Sequence, residues 1–143
     1  MRLYVDTSVL VRLYLHDEPA ADQIAAILFA PNASALTSDL TRIEFVSALH
    51  RAVRSGRIPD ATAHLAAGTA AMAGSGPIAT VALDVRALEA DALRVVQAQA
   101  LAASDALHVA TAIGLRRDGV ETTFFTRDRR QAEAARAEGF EIV

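Results

Sequence analysis

Cysteine is absent from this sequence, which excludes disulfides and thiolate metal ligands. Any metal the chain holds must use oxygen or imidazole donors, the chemistry of magnesium and manganese rather than structural zinc. Lysine is absent as well, and all 14 basic residues are arginine. That disfavours a magnesium-binding receiver-like regulatory module, which uses a nearby lysine to steady a phosphoryl group. Aromatic residues make up only 5% and tryptophan is missing. No uninterrupted apolar run reaches the ~18 residues a membrane span needs, so none is expected. A charged-then-apolar leader pattern is lacking too, because Asp6, Arg12, His16 and Asp17 interrupt the start. A cytoplasmic location is the expectation.

What is present is a chain of 143 residues, 52% of them apolar and mostly Ala, Leu and Val. That length suits one domain with a real core, residues 1–143. The formal net charge is −3, whereas nucleic-acid binders tend to be basic. Yet the arginines cluster, as Arg51, Arg54 and Arg57, as Arg116 and Arg117, and as Arg127, Arg129 and Arg130. Two divalent ions in an acidic pocket would reverse the sign of the whole. Missing lysine also fits a GC-rich genome, so charge alone decides nothing.

The organising stretch is Leu3-Tyr4-Val5-Asp6-Thr7-Ser8. Residues 2–6 read as a strand that ends on a carboxylate, and Thr7 or Ser8 caps a helix carrying Val9, Leu10, Leu13 and Tyr14. His16-Asp17-Glu18-Pro19 breaks that helix, and a second begins near Pro19 with Ile24, Ile27 and Leu28 on one face. Residues 34–37 predict a strand, and Ser38 or Asp39 caps a long helix that stops at Gly56. Pro59-Asp60 opens an alanine-rich helix ending near 74–77. Residues 79–83 form a third strand, and Asp84 starts a helix to about Gln99. Ser104 caps a helix over 105–117, residues 122–126 make a strand, Asp128 begins the last helix, and 140–143 form a terminal strand. Strands alternating with helices imply a parallel sheet covered on both faces.

Four acids fall where this layout brings chain to one rim. Asp6 ends the first strand, and Asp128 follows the 122–126 strand by two residues. Asp105 opens its helix, and Glu44 lies in the first two turns of the long one. In open α/β sheets the carboxyl edge is where ligands bind. Carboxylates gathered there repel, and bound cations relieve the repulsion. Such ions hold the attacking water and leaving oxygen of an in-line phosphodiester displacement. Each acid has a second reading. Asp6, Asp105 and Asp128 all suit helix N-termini, and Glu44, set in an apolar stretch, needs a partner such as Arg42 or His50. His108, one turn beyond Asp105, reads as a helix-face histidine that packs or bonds to backbone.

Val5-Asp6-Thr7-Ser8, the helical Glu44, Asp105-Ala106-Leu107-His108 and Thr126-Arg127-Asp128 together resemble the PIN-domain family. Within it they are most similar to the VapC-type toxins of type II toxin–antitoxin pairs. The resemblance covers nearly the whole chain, although residues 58–100 carry no motif. It implies an α/β/α sandwich with a central, mostly parallel sheet of four to five strands flanked by helices. It further implies an endoribonuclease dependent on Mg²⁺ or Mn²⁺, with one or two ions held by Asp6, Asp105, Asp128 and Glu44. Thr7, Ser8 and Thr126 would orient ligands or touch a phosphate. An RNA substrate, a homodimer and a small inhibitory antitoxin protein follow from the same likeness. Ile24, Ile27, Leu28 and Phe29, with the Val46–Leu49–Val53 ridge, are the candidate partner surface. A housekeeping RNA-processing nuclease is the alternative, and a non-enzymatic metal-binding module the remoter one.

Overall fold

The computed structural model describes residues 1–15 and 20–143. The break expected at His16-Asp17-Glu18-Pro19, with Pro19 opening a helix, lies outside the described residues. In chain order the elements are β1 (Arg2–Val5), α1 (Thr7–Leu15), α2 (Ala21–Leu28), β2 (Ser34–Ser38), α3 (Asp39–Arg54) and α4 (Thr62–Ala71). Then come β3 (Ile78–Val81), α5 (Val85–Gln99), α6 (Ala103–Arg117), β4 (Thr123–Phe125) and α7 (Arg129–Ala137).

Four strands form one sheet in the order β3-β2-β1-β4, and every pairing is parallel. Parallel strands need helical crossovers, so both faces of the sheet become covered. The central strand shows the consequence directly, because Leu3, Tyr4 and Val5 are all fully buried. Side chains alternate across a strand. Leu3 and Val5 therefore join the apolar cluster that includes Val9, Ile24, Phe45 and Ala71 of α1 to α4. Tyr4 joins the opposite cluster, with Val95, Val109 and Ala134 of α5, α6 and α7. Phe124 and Phe125 divide between the two layers in the same way. The α/β/α sandwich expected from the sequence is what forms.

Local chemistry sets most boundaries where they were expected. Ser38 caps α3 by accepting from the Leu40 N–H, and Asp84 caps α5 by accepting from Ala87. Gly56, at φ +73, ends the turn after α3, a conformation that a Cβ disfavours. Three expectations fail. Neither Thr7 nor Ser8 caps α1, which begins at Thr7 and has Asp6 before it accepting from the Ser8 N–H. Ser104 does not cap α6, which begins at Ala103 after Ala102 with no side-chain cap. Ala100 adopts a left-handed φ of 50 and closes α5, so the chain re-enters helix before Ser104 is reached. Nor do residues 140–143 add a full strand. Only a single bridge, Phe124 to Ile142, joins them to β4. In a three-residue strand bonded to β1 on one side, Phe124 alone turns its backbone groups outward. It accepts from Val143 and donates to Glu141.

The apolar surface expected for a partner is mostly interior. Ile24, Leu28 and Leu49 are core residues, and Ile27 and Val53 pack against them. Of the expected set only Phe29 (47%) and Val46 (40%) are substantially exposed, and Ile43 (70%), which was not in that set, is exposed one turn before Val46. Among the described residues no helix is long and apolar enough to cross a membrane.

Candidate active site

With order β3-β2-β1-β4, the chain leaves β1 toward one side of the sheet and returns to β4 on the other. The carboxyl ends of β1 and β4 therefore flank a switch point, where open α/β sheets leave a crevice. A cavity of about 580 Å³ opens there, and Asp6, Glu44, Asp105 and Asp128 all line it. Thr7, Ser8, Ser47, Ser104 and the arginines Arg12, Arg51 and Arg57 share its wall. Residues spread over more than 120 positions of sequence thus meet at one rim.

Asp6 sits one residue beyond β1, and its backbone N–H extends the ladder to Phe125 O at 2.9 Å. Only 4% exposed, its Oδ2 accepts from the Ser8 N–H and the Thr126 hydroxyl, both at 3.0 Å. Asp128 does cap the last helix, accepting from Gln131 N at 3.0 Å, while also lining the cavity. Capping and site lining are not alternatives for this residue. Asp105 is the one acid in the first turn of α6. Burial, and then the charges of Asp6, Asp128 and Glu44, push its carboxyl above the usual range. Mutual repulsion is the electrostatic mark of carboxylates that share a pocket.

Glu44 is held differently. Its Oε2 accepts from the Thr7 hydroxyl at 2.5 Å and lies 2.8 Å from His108 Nε2. Burial alone would raise this carboxyl, but those hydrogen bonds and the imidazole bring it below its ordinary value. Neither Arg42 nor His50 is the partner anticipated for it, and both are exposed on α3. His108 is completely buried and bonds to side chains rather than backbone. Sequence reading also missed Gln131, likewise fully buried. Its Oε1 lies 2.7 Å from Thr126 Oγ1, and its Nε2 reaches the Asp105 carbonyl at 3.5 Å. The available signals were the three-residue spacing from Asp105 to His108 and a lone amide facing β4 from the first turn of α7.

The hydroxyls expected to orient ligands or touch a phosphate are engaged within the protein. Thr7 donates to Glu44, Ser8 Oγ accepts from the Arg127 N–H at 2.9 Å, and Thr126, buried, serves Asp6, Gln131 and Asp128. Thr7 and Thr126 orient acids, while the Ser8 hydroxyl holds the Arg127 backbone.

Among the described residues no three acidic or histidine side chains form a group that could hold a metal ion. The fit to a hard divalent cation is one of donor chemistry. Four carboxylates line one cavity, sulfur is absent, and Asp105 carries repulsion that a cation would relieve.

The family model for the PIN domain matches residues 3–137. The chain belongs to the PIN domain family. Solved structures agree on the fold. One chain of VapBC2 from Rickettsia felis, crystallised with a DNA fragment from their promoter, superposes with a TM-score of 0.67. The two are 12% identical, over 100% of this chain and 98% of that one. VapC20 of Mycobacterium tuberculosis, a sarcin–ricin loop cleaving toxin, gives 0.68 at 16% identity, over 96% and 95%. No curated protein matches the sequence. This PIN fold positions its acids as the strand order dictates, with Asp6 and Asp128 beside each other at the ends of β1 and β4.

Proposed function

We propose that this PIN domain, residues 1–143, is a metal-dependent endoribonuclease and the toxin of a toxin–antitoxin pair. The observation that carries the reading is the meeting of Asp6, Glu44, Asp105 and Asp128 on one cavity. Asp6 and Asp105, with Asp128 and Glu44, would hold one or two Mg²⁺ or Mn²⁺ ions. Such ions lower the pKa of a bound water and neutralise charge on a phosphoryl group in flight. The protein's own part is preorganisation. Ser8 N–H and Thr126 fix Asp6, Gln131 N–H fixes Asp128, and Thr7 with His108 fixes Glu44. Arg12, Arg51 and Arg57 on the same wall attract the phosphate backbone and offset its repulsion by the acids. This local basic rim answers the difficulty of a net charge of −3.

RNA as substrate and an antitoxin as partner are supported by the fold shared with the VapBC2 chain and the RNA-cleaving VapC20. The exposed Ile43 lines the cavity and Val46 lies one turn along α3, which suits an apolar antitoxin segment ending in a basic side chain among the acids. We propose a cytoplasmic homodimer as the working state. Size-exclusion chromatography with pull-down from the native operon tests both contacts. A monomer that captures no small operon partner counts against them.

The decisive test is RNA cleavage with and without Mn²⁺, comparing the native chain with Asp6→Asn. Loss of at least about a hundredfold in metal-stimulated cleavage is expected, since oriented electrostatic stabilisation is worth ~3 kcal/mol or more. Undiminished cleavage by the variant removes Asp6 from the metal assignment.

A further inference from the structure

His108 sits beneath the cavity without lining it. Its side chain is wholly buried, so it touches neither substrate nor solvent. A buried imidazole has two nitrogens to satisfy, and here both meet side chains. Nδ1 is 2.9 Å from the Tyr4 hydroxyl, and Nε2 is 2.8 Å from Glu44 Oε2. Thr7 Oγ1 lies 3.2 Å from the same Nε2, and Asp6 Oδ1 lies 3.7 Å away. Of the groups in this chain of contacts, Tyr4 belongs to the sheet and Asp6 follows it directly, whereas Thr7 is on α1 and Glu44 on α3. Tyr4 belongs to the buried central strand, stacked on Phe124 at 5.2 Å, and its hydroxyl is fixed as firmly as the strand. A second link runs through Thr7, which follows Asp6 directly and gives its single proton to Glu44. Thr41 and Thr37 continue the polar seam to the Val5 carbonyl.

We infer that His108 is a positioning residue, which ties the carboxylate of Glu44 to the β1 strand through the Tyr4 hydroxyl and so presets the acid on α3 relative to Asp6 and Asp105. This deepens the nuclease reading and rests on it. The need for such a tie is geometric. Asp6 and Asp128 follow neighbouring strands and are placed by backbone hydrogen bonds. Glu44 rides on α3, at the end of a flexible side chain that loses rotamer freedom when fixed. An ionised carboxylate only accepts, so Nε2 carries the proton of the Glu44 bond. In the neutral ring Nδ1 then accepts from Tyr4, whose burial keeps the phenol protonated. Partners one layer out from metal-binding groups typically govern affinity by 10–100-fold.

The test uses the whole chain and Mn²⁺ as probe. Free Mn²⁺ is followed by electron paramagnetic resonance during titration of the native protein, His108→Phe, His108→Gln and Tyr4→Phe, and cleavage is measured on each. His108→Phe should weaken Mn²⁺ binding by about 10–100-fold and lower kcat with little change in KM. His108→Gln keeps a donor near Nε2 and should recover most of both. Tyr4→Phe, which removes one buried oxygen, should show a smaller loss of the same kind, and it serves if His108→Phe does not fold. Affinity and kcat within twofold of native in His108→Phe, or in Tyr4→Phe should it stand alone, overturn the proposal. So does a glutamine variant as impaired as the phenylalanine one. In metal-free protein, ¹⁵N NMR should place a proton on His108 Nε2, and a bare Nε2 overturns the tie outright. A native chain that neither binds Mn²⁺ nor cleaves RNA sinks the nuclease reading instead, and the NMR result still judges the tie.

Discussion

Acidic residues occupy two contrasting surroundings in this molecule. On the outer helical layer, Asp91 and Glu138 meet guanidinium groups. Arg94 forms a two-pronged pair with Glu138 at 2.7 and 2.9 Å and lies 3.5 Å from Asp91, which Arg117 also binds at 2.5 Å. These contacts stitch α5 to α6 and α7. At the carboxyl edge of the sheet, the partners of Asp6, Glu44 and Asp128 are hydroxyls, backbone N–H groups and one imidazole. Those partners aim the carboxylates, and none of them is a guanidinium bound to both carboxylate oxygens as in the outer layer. A fold that wanted only stability would have paired the second group as it paired the first. Like charge gathered in a cleft, felt by Asp105 as a raised carboxyl, is what the proposed metal site would use.

The sharpest way to break that contrast is Asp105→Asn. Its raised carboxyl means that the folded state disfavours the ionised form, so at neutral pH the charge on Asp105 weakens the fold. Removing the charge should therefore raise the urea midpoint. The same change should lower metal-stimulated cleavage by at least about a hundredfold. A variant that loses stability would show Asp105 to be chiefly a helix-end charge satisfying backbone donors.

Packing away from the rim should behave in the opposite sense. Gly68 of α4 lies against Phe45 of α3, and a Cβ there would stand 2.2 Å from Phe45 Cε1. Phe45 is fully buried in the core, so it has little room to yield. Gly68→Ala should cost about 1–3 kcal/mol by urea denaturation. Cleavage per folded molecule should change little, because neither residue lines the cavity. A large loss of activity in protein that remains folded would mean that α3–α4 packing sets the position of Glu44.

Whether a feature could be read from the sequence depended on how local its cause was. Asp6 at the end of β1, Ser38 before α3, Asp84 before α5 and Asp128 before α7 each act within three residues. Their residue types announce them. The convergence of the four acids followed from strand alternation with helices, which makes the sheet parallel and puts strand ends on one rim. His108 packs as expected, but its side-chain bonds were not foreseen because their partners, Tyr4 and Glu44, are 104 and 64 residues away. Which faces of α6, β1 and α3 oppose one another is a tertiary fact with no local signature. The start of α6 was lost for a related reason, since no local signal favours a left-handed alanine at position 100.

The smallest expected effect completes the contrast. Arg94 is about half exposed, whereas Asp91 and Glu138 are mostly covered. Solvent screens such a pair and salt weakens it, so Arg94→Ala should cost less than about 1 kcal/mol. The cost should shrink further in high salt, and cleavage should stay at the native level. Most of that cost would come from Glu138, left with its charge against the α5–α7 seam, rather than from lost attraction. Adding Glu138→Gln to Arg94→Ala should therefore restore part of the stability. If the double variant proves no more stable than the single one, the outer acids are not dependent on their arginines. Pairing would then no longer distinguish them from the acids of the cavity.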